Sequence, residues 1–273
     1  MEPGSALELC RTLGDPELDH TLSSFVGLAV GILGEGLVSV VLHGSVVFGD
    51  LAPGYGDLDF LAVTDRELDE RTLTSLVELR RPMRGGQFGL LGCMLEGAFL
   101  PRPMLDPSVV GTALWWGTNG ERQWRRSQLG WLVLHVIRQR GVVIWGDDLR
   151  PEIPAASEHD LLQDIARACA SMRQNGRGGG LHSVDWLLTA ARLIMWLRED
   201  GRLSSKSDAA DWGYVHATGV WRERLPRAKQ LRNCPGQAEE PETQAWLGSL
   251  SEPIQEACTE LEYELARAGH PCE

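Results

Sequence analysis

Two aspartates one residue apart, Asp57 and Asp59, open the run D-L-D-F-L-A-V-T at 57–64. Strand alternation places both on one face, with Leu58 and Phe60 on the other. Adjacent carboxylates on one sheet edge repel unless a cation sits between them. Mg²⁺, which takes one or two protein carboxylates and completes its shell with phosphate oxygens and water, fits best. Upstream, the apolar residues 38–42 lead into Gly44-Ser45. Gly44 lets the backbone approach a phosphate, and Ser45 offers a hydroxyl and an amide. A D-x-D pair alone can be two solvated carboxylates at a strand end; with G-S after one strand and D-L-D opening the next, it reads as a nucleoside triphosphate and metal site. Glu96 is the one charged residue of the apolar run 88–100. A carboxylate there is costly to bury unless paired or metal-bound. If its strand lies beside that of Asp57 and Asp59, Glu96 is placed to take a proton from an attacking hydroxyl. The alternative is a half-exposed glutamate at a strand end.

These residues need a scaffold. Residues 6–33 carry helical periodicity, with Asp15-Pro16 as a break and start, and Gly34-Glu35-Gly36 ends the run before the first strand. A short helical or irregular piece is expected after Gly44-Ser45. Asp65 is a credible N-cap for a helix over 67–79, followed by a basic, Gly-containing turn at 80–86 and a strand over 88–100. Residues 101–107 read as a loop, and 128–144 as a helix running into V-V-I-W-G. Trp115 and Trp116 stand in the intervening run; they are either core or a platform for a sugar or cyclitol ring. Residues 151–157 have linker composition. Beyond them the periodicity is helical throughout: 158–172, 183–199 after a flexible loop at 174–180, a start near 202–212, and one or two helices over 243–268. The fold class is thus α+β: a domain over 1–153 with a mixed sheet and flanking helices, then an all-helical domain over 154–273.

The net charge of −12 and a pI near 5.1 argue against a nucleic-acid partner, whose affinity depends on Lys and Arg neutralising phosphates. The acidity either steers a cationic small molecule toward the protein or serves solubility. The six cysteines show no C-x-x-C spacing and no clustering of histidines nearby, as in reduced residues of a cytoplasmic protein. No signal peptide is expected, and no run reaches the roughly 18 apolar residues of a membrane helix. A monomer is expected.

The pattern of h-G-S, a spacer and D-h-D-h-h resembles the nucleotidyltransferase superfamily that includes the DNA polymerase β-like enzymes. L-H-G-S at 42–45, D-L-D at 57–59, L-E at 95–96, L-T-A-A-R at 188–192 and S-K-S-D-A-A-D-W at 205–212 follow one another as in the streptomycin/spectinomycin adenylyltransferases. The resemblance covers nearly the whole chain, weakest before residue 20 and after about 225, and its most specific element is the one at 205–212. It implies a nucleotidyltransferase domain followed by a helical domain, with ATP and an aminoglycoside or aminocyclitol bound in the cleft between, and transfer of AMP to a drug hydroxyl. On matching positions it implies Mg²⁺ on Asp57 and Asp59, triphosphate on Gly44 and Ser45, Glu96 as general base and Lys206 at the phosphates. Arg192 is either a further phosphate contact or an intramolecular ion-pair partner. The chain departs from streptomycin-modifying members where they carry a drug-binding acid before the L-T-x-A-R helix. Here that place offers His182 or Ser183, with Asp185 a few positions on. Trp115 or Trp116 corresponds loosely to their drug-side tryptophan, and their late nucleotide-packing tyrosine has no clear match. Other readings are the same architecture acting on another small molecule, such as a natural-product intermediate, or a non-catalytic or protein-modifying module.

Overall fold

The structure, a computed structural model, describes residues 7–270. Contacts divide it into two units. The first comprises the described residues up to Val47 together with Asp57–Ala155; the second comprises Phe48–Gly56 and the residues from Ala156 onward.

The first unit carries α1 (Pro16–Leu33), β1 (Leu37–Leu42), β2 (Leu58–Thr64), α2 (Glu70–Arg84), α3 (Gly89–Cys93), β3 (Leu95–Pro101), β4 (Val110–Gly117), β5 (Gly120–Arg126), α4 (Trp131–Arg140) and β6 (Val142–Gly146). The sheet order is β5-β4-β3-β2-β1-β6. Only β2 and β3 run parallel, because α2 carries the chain back between them; the other neighbours are antiparallel. Their register sets Asp59 opposite Glu96 and Leu61 opposite Ala98. The two residue periods sort the core. Val41, Leu61, Val63, Ala98 and Leu100 pack with Leu134 and Ile137 of α4. Phe60, Phe99 and Trp116 meet Phe25 of α1, with ring centroids 4.7 to 6.3 Å apart. Each such aromatic contributes about 1.5–3 kcal/mol by leaving water.

Several local expectations are corrected. The first helix begins at Pro16, where the Asp15 carboxylate accepts the Glu17 and Leu18 amides; residues 7–14 are not helical, and Ala6 lies outside the described residues. The next helix starts later than Asp65 would set it. Asp69 caps it through the Thr72 amide at 2.7 Å, whereas the Asp65 carboxylate pairs with Arg66. That helix also continues through Pro82 to Arg84, so the basic stretch is its last turn. The run 88–100 is not one strand: its first half turns through α3, and β3 begins at Leu95. The helix expected over 128–144 is limited to Trp131–Arg140, where Gly141 ends it. Pro101 closes β3, and Arg102–Leu105 is a 3₁₀ turn rather than open loop.

The second unit is helical: α5 (Glu158–Asn175), α6 (Leu181–Arg198), α7 (Lys206–His216), α8 (Leu225–Asn233), α9 (Pro241–Gly248) and α10 (Ser251–Arg267). Ser157 starts α5 with a reciprocal cap to Asp160. Arg198 of α6 bonds Glu260 and Glu264 of α10, each at 2.8 Å. Glu260 also accepts the Trp221 indole N–H at 2.8 Å, so its buried charge is fully engaged. The segment Phe48–Gly56, expected within the domain over 1–153, joins this unit, where Asp50 bonds Arg232 and the start of α7. No helix among the described residues is long and apolar enough to cross a membrane.

Candidate active site

In the first unit the acidic residues gather where β1 ends and β2 and β3 begin. The His43 amide donates to the Asp59 carbonyl at 3.0 Å, and the Leu58 amide to the Met94 carbonyl at 2.7 Å, so the three strand ends are stitched together. Gly44 follows at φ +66°, and a Cβ there would lie 1.9 Å from Asp59 Oδ2. The Asp59 carboxylate therefore packs directly on the Gly44 backbone. Ser45 comes next in the 3₁₀ turn Gly44–Phe48. Asp57 stands immediately before β2, two residues ahead of Asp59, and Glu96 pairs with Asp59 across the sheet. His43 is buried, and burial pushes its imidazole down to about 4, so it is neutral at physiological pH. The cluster thus holds acids without a protonated histidine beside them.

Glu96 is held from the β4-β5 turn. Both the Thr118 amide and its hydroxyl donate to Oε2, at 2.8 and 2.7 Å. Two α2 arginines, expected only as part of a basic turn, secure this region. Arg80, 4% exposed, donates to the Leu95 carbonyl at 2.6 Å and to the Gly117 carbonyl at 3.2 Å, and lies over the Trp116 ring. Arg84 donates to the carbonyls of Gly117 and Thr118. Burial pushes the Arg80 guanidinium down to about 10, with Arg84 adding to the effect, while Glu121, Glu96 and Asp57 oppose it. Arg80 stays charged at neutral pH and lies within electrostatic reach of two of the site's carboxylates. The signal available in the sequence was only an arginine at helical spacing from Leu73, Leu76 and Met83.

The two tryptophans separate because neighbouring strand residues face opposite ways. Trp116 is 0% exposed among Phe25, Phe60 and Phe99, so of the two alternatives it is core and not a ring platform. Trp115 is half-buried on the face of Glu96, stacked on Trp124 at 5.0 Å. Its indole nitrogen lies 2.3 Å from where a Gly117 Cβ would be. Gly117 thereby admits the ring alongside the turn that holds Glu96.

In the second unit, Asp185 of α6 accepts from Lys206 Nζ at 2.5 Å and from the Tyr55 hydroxyl at 3.5 Å. Burial alone would raise the Asp185 carboxyl, but the Lys206 ammonium, with Arg192 and His182, holds it below the usual range. Burial and the neighbouring Asp185 raise the Tyr55 phenol. His182 is exposed and meets Trp186 edge-on at 4.7 Å, while Ser183 is buried and bonds the Gly180 carbonyl. Asp185, Lys206 and Arg192 thus form one electrostatic group. Tyr55 and Asp50 belong to it or adjoin it, and no motif marked either.

Among the described residues no group of three or more His, Cys, Asp or Glu side chains is arranged to hold a metal ion. The donors present suit a metal that takes two carboxylates and draws the rest of its shell from substrate phosphate and water, as Mg²⁺ does.

No protein-family model and no curated protein sequence matches the chain. Among solved structures it is similar to the spectinomycin adenyltransferase AAD(9) from Enterococcus faecialis, crystallised with ATP and spectinomycin, at a TM-score of 0.70 and 19% identity. The match covers 88% of this chain and 98% of that one. The chain therefore has the fold of an adenyltransferase.

Proposed function

We propose that the protein transfers AMP from ATP to a hydroxyl of an aminoglycoside or aminocyclitol of the streptomycin or spectinomycin class, with Mg²⁺, releasing pyrophosphate and so conferring resistance. The observation that carries this reading is the pairing of Asp59 with Glu96 on one sheet face, with Asp57 immediately before the strand, beside a glycine turn shaped around the Asp59 carboxylate. The likeness to a structure holding ATP and spectinomycin supports it.

Asp57 and Asp59 would hold Mg²⁺, which when bound offsets the charge of the triphosphate and polarises the α-phosphoryl group. The Gly44-Ser45 amides and the Ser45 hydroxyl bind phosphate oxygens. Glu96 accepts the proton of the acceptor hydroxyl through Oε1, since its other oxygen is engaged by Thr118. The hydroxyl oxygen then bonds to the α-phosphorus as the bond to the pyrophosphate oxygen breaks. The family resemblance assigns Lys206 and Arg192 to the nucleotide, which requires Lys206 to exchange Asp185 for phosphate. Trp115, Asp185 and His182 remain assigned to the acceptor, Trp115 through stacking on a ring.

Pyrophosphate release with ATP and Mg²⁺, across streptomycin, spectinomycin and kanamycin-type drugs, tests the reading. Glu96→Gln is expected to retain ATP binding by calorimetry and to lower turnover about a thousandfold, within the range general bases contribute. Loss of both binding and turnover would assign Glu96 to structure. Release with none of the drugs would favour another small-molecule acceptor.

A further inference from the structure

Glu96 stands at the start of β3, and among the described residues both hydrogen bonds its carboxylate accepts go to one oxygen and come from one residue, Thr118. Resting on the proposed AMP transfer, we infer that Thr118 is the positioning residue for the base: it fixes the carboxylate so that Oε1 alone faces the acceptor hydroxyl.

The geometry has three parts. First, the donors at 2.8 and 2.7 Å include a backbone amide, so the carboxylate is located by the fold itself and not by side chains alone. Charge-assisted bonds of this kind are about twice as strong as neutral ones. Second, the turn that presents Thr118 is anchored. Gly117 and Gly120 pair across it, Gly120 sits at φ +109°, and the Gly117 carbonyl accepts from Arg80 and Arg84. Third, the same Arg80 guanidinium bonds the Leu95 carbonyl at 2.6 Å, immediately before Glu96. One buried cation thus clamps both the strand entry that carries the base and the turn that orients it. A base fixed before substrate arrives loses no ordering entropy at the moment of proton transfer.

Thr118 is exposed, so its variants are expected to fold, whereas Arg80 is buried and a poor probe. Thr118→Val keeps the amide and shape but removes the hydroxyl. Expected is a fall in kcat of about tenfold with KM for ATP and acceptor unchanged, restored by Thr118→Ser. A kcat within twofold of the wild type, or failure of serine to restore it, would overturn the assignment. A second readout is independent of activity: amide hydrogen exchange at Thr118. Protection there should be lost in Glu96→Ala, and unchanged protection would overturn the bond itself. If the wild-type protein releases no pyrophosphate while exchange behaves as expected, the AMP-transfer reading fails and the Glu96–Thr118 contact stands.

Discussion

Gly44→Ala is expected to lower kcat by about a hundredfold while leaving the protein folded. An added methyl would stand 1.9 Å from Asp59 Oδ2 and 2.7 Å from its Cγ, so the carboxylate must swing away. The three atoms nearest the new methyl all belong to the Asp59 side chain. The backbone adds its own cost: φ of +66° is the left-handed region, which charges alanine about 1 kcal/mol relative to glycine. That is small beside the catalytic loss, since displacing a group at the reacting centre by about 1 Å costs of order a hundredfold. Steady-state kinetics and a melting curve read the two effects separately. A kcat within threefold of wild type would mean that the Asp59 position does not matter to turnover.

The largest stability effect is expected at Asp50→Ala, about 3–5 kcal/mol, the usual cost of removing one partner from a buried pair. Arg232 is 2% exposed and donates to Asp50 Oδ1 at 2.9 Å and to the Asp50 carbonyl. The same carboxylate accepts the Ser207 hydroxyl at 2.6 Å and its amide at 3.2 Å, at the first turn of α7. Truncation leaves a guanidinium in the interior with half its partners and strips the helix start of an acceptor. Asp50→Asn, which keeps the shape and one acceptor, should lose less. Urea denaturation gives the comparison, and a difference below about 1 kcal/mol for the alanine variant would show that water or a neighbour replaces the lost carboxylate.

The contrast between these residues shows what the sequence could disclose. Asp57, Asp59 and Glu96 were legible because two acids flank the start of one strand and a lone acid opens the next, and the parallel register of β2 and β3, joined through α2 and α3, pairs Asp59 with Glu96. Asp50 was not legible, because its partner lies 182 residues away and no spacing rule joins them. Trp115 and Trp116 are adjacent, and sequence could not say which faces the core; only the packing of Phe25 over Phe60 and Phe99 decides it. The run 88–100 misled because an apolar stretch without clear period suits a strand or a buried turn of helix equally well. Asp65 was expected as the N-cap of α2; it pairs with Arg66 instead, and the cap falls on Asp69, four residues later.

The most direct measurement of the central claim is the mass of the acceptor after incubation with the protein, ATP and Mg²⁺. Spectinomycin or another drug of its class is expected to gain one adenylyl group, and both chelation of Mg²⁺ and Asp59→Asn are expected to prevent the gain. An unmodified acceptor across the whole panel, with ATP bound and the protein folded, would contradict it.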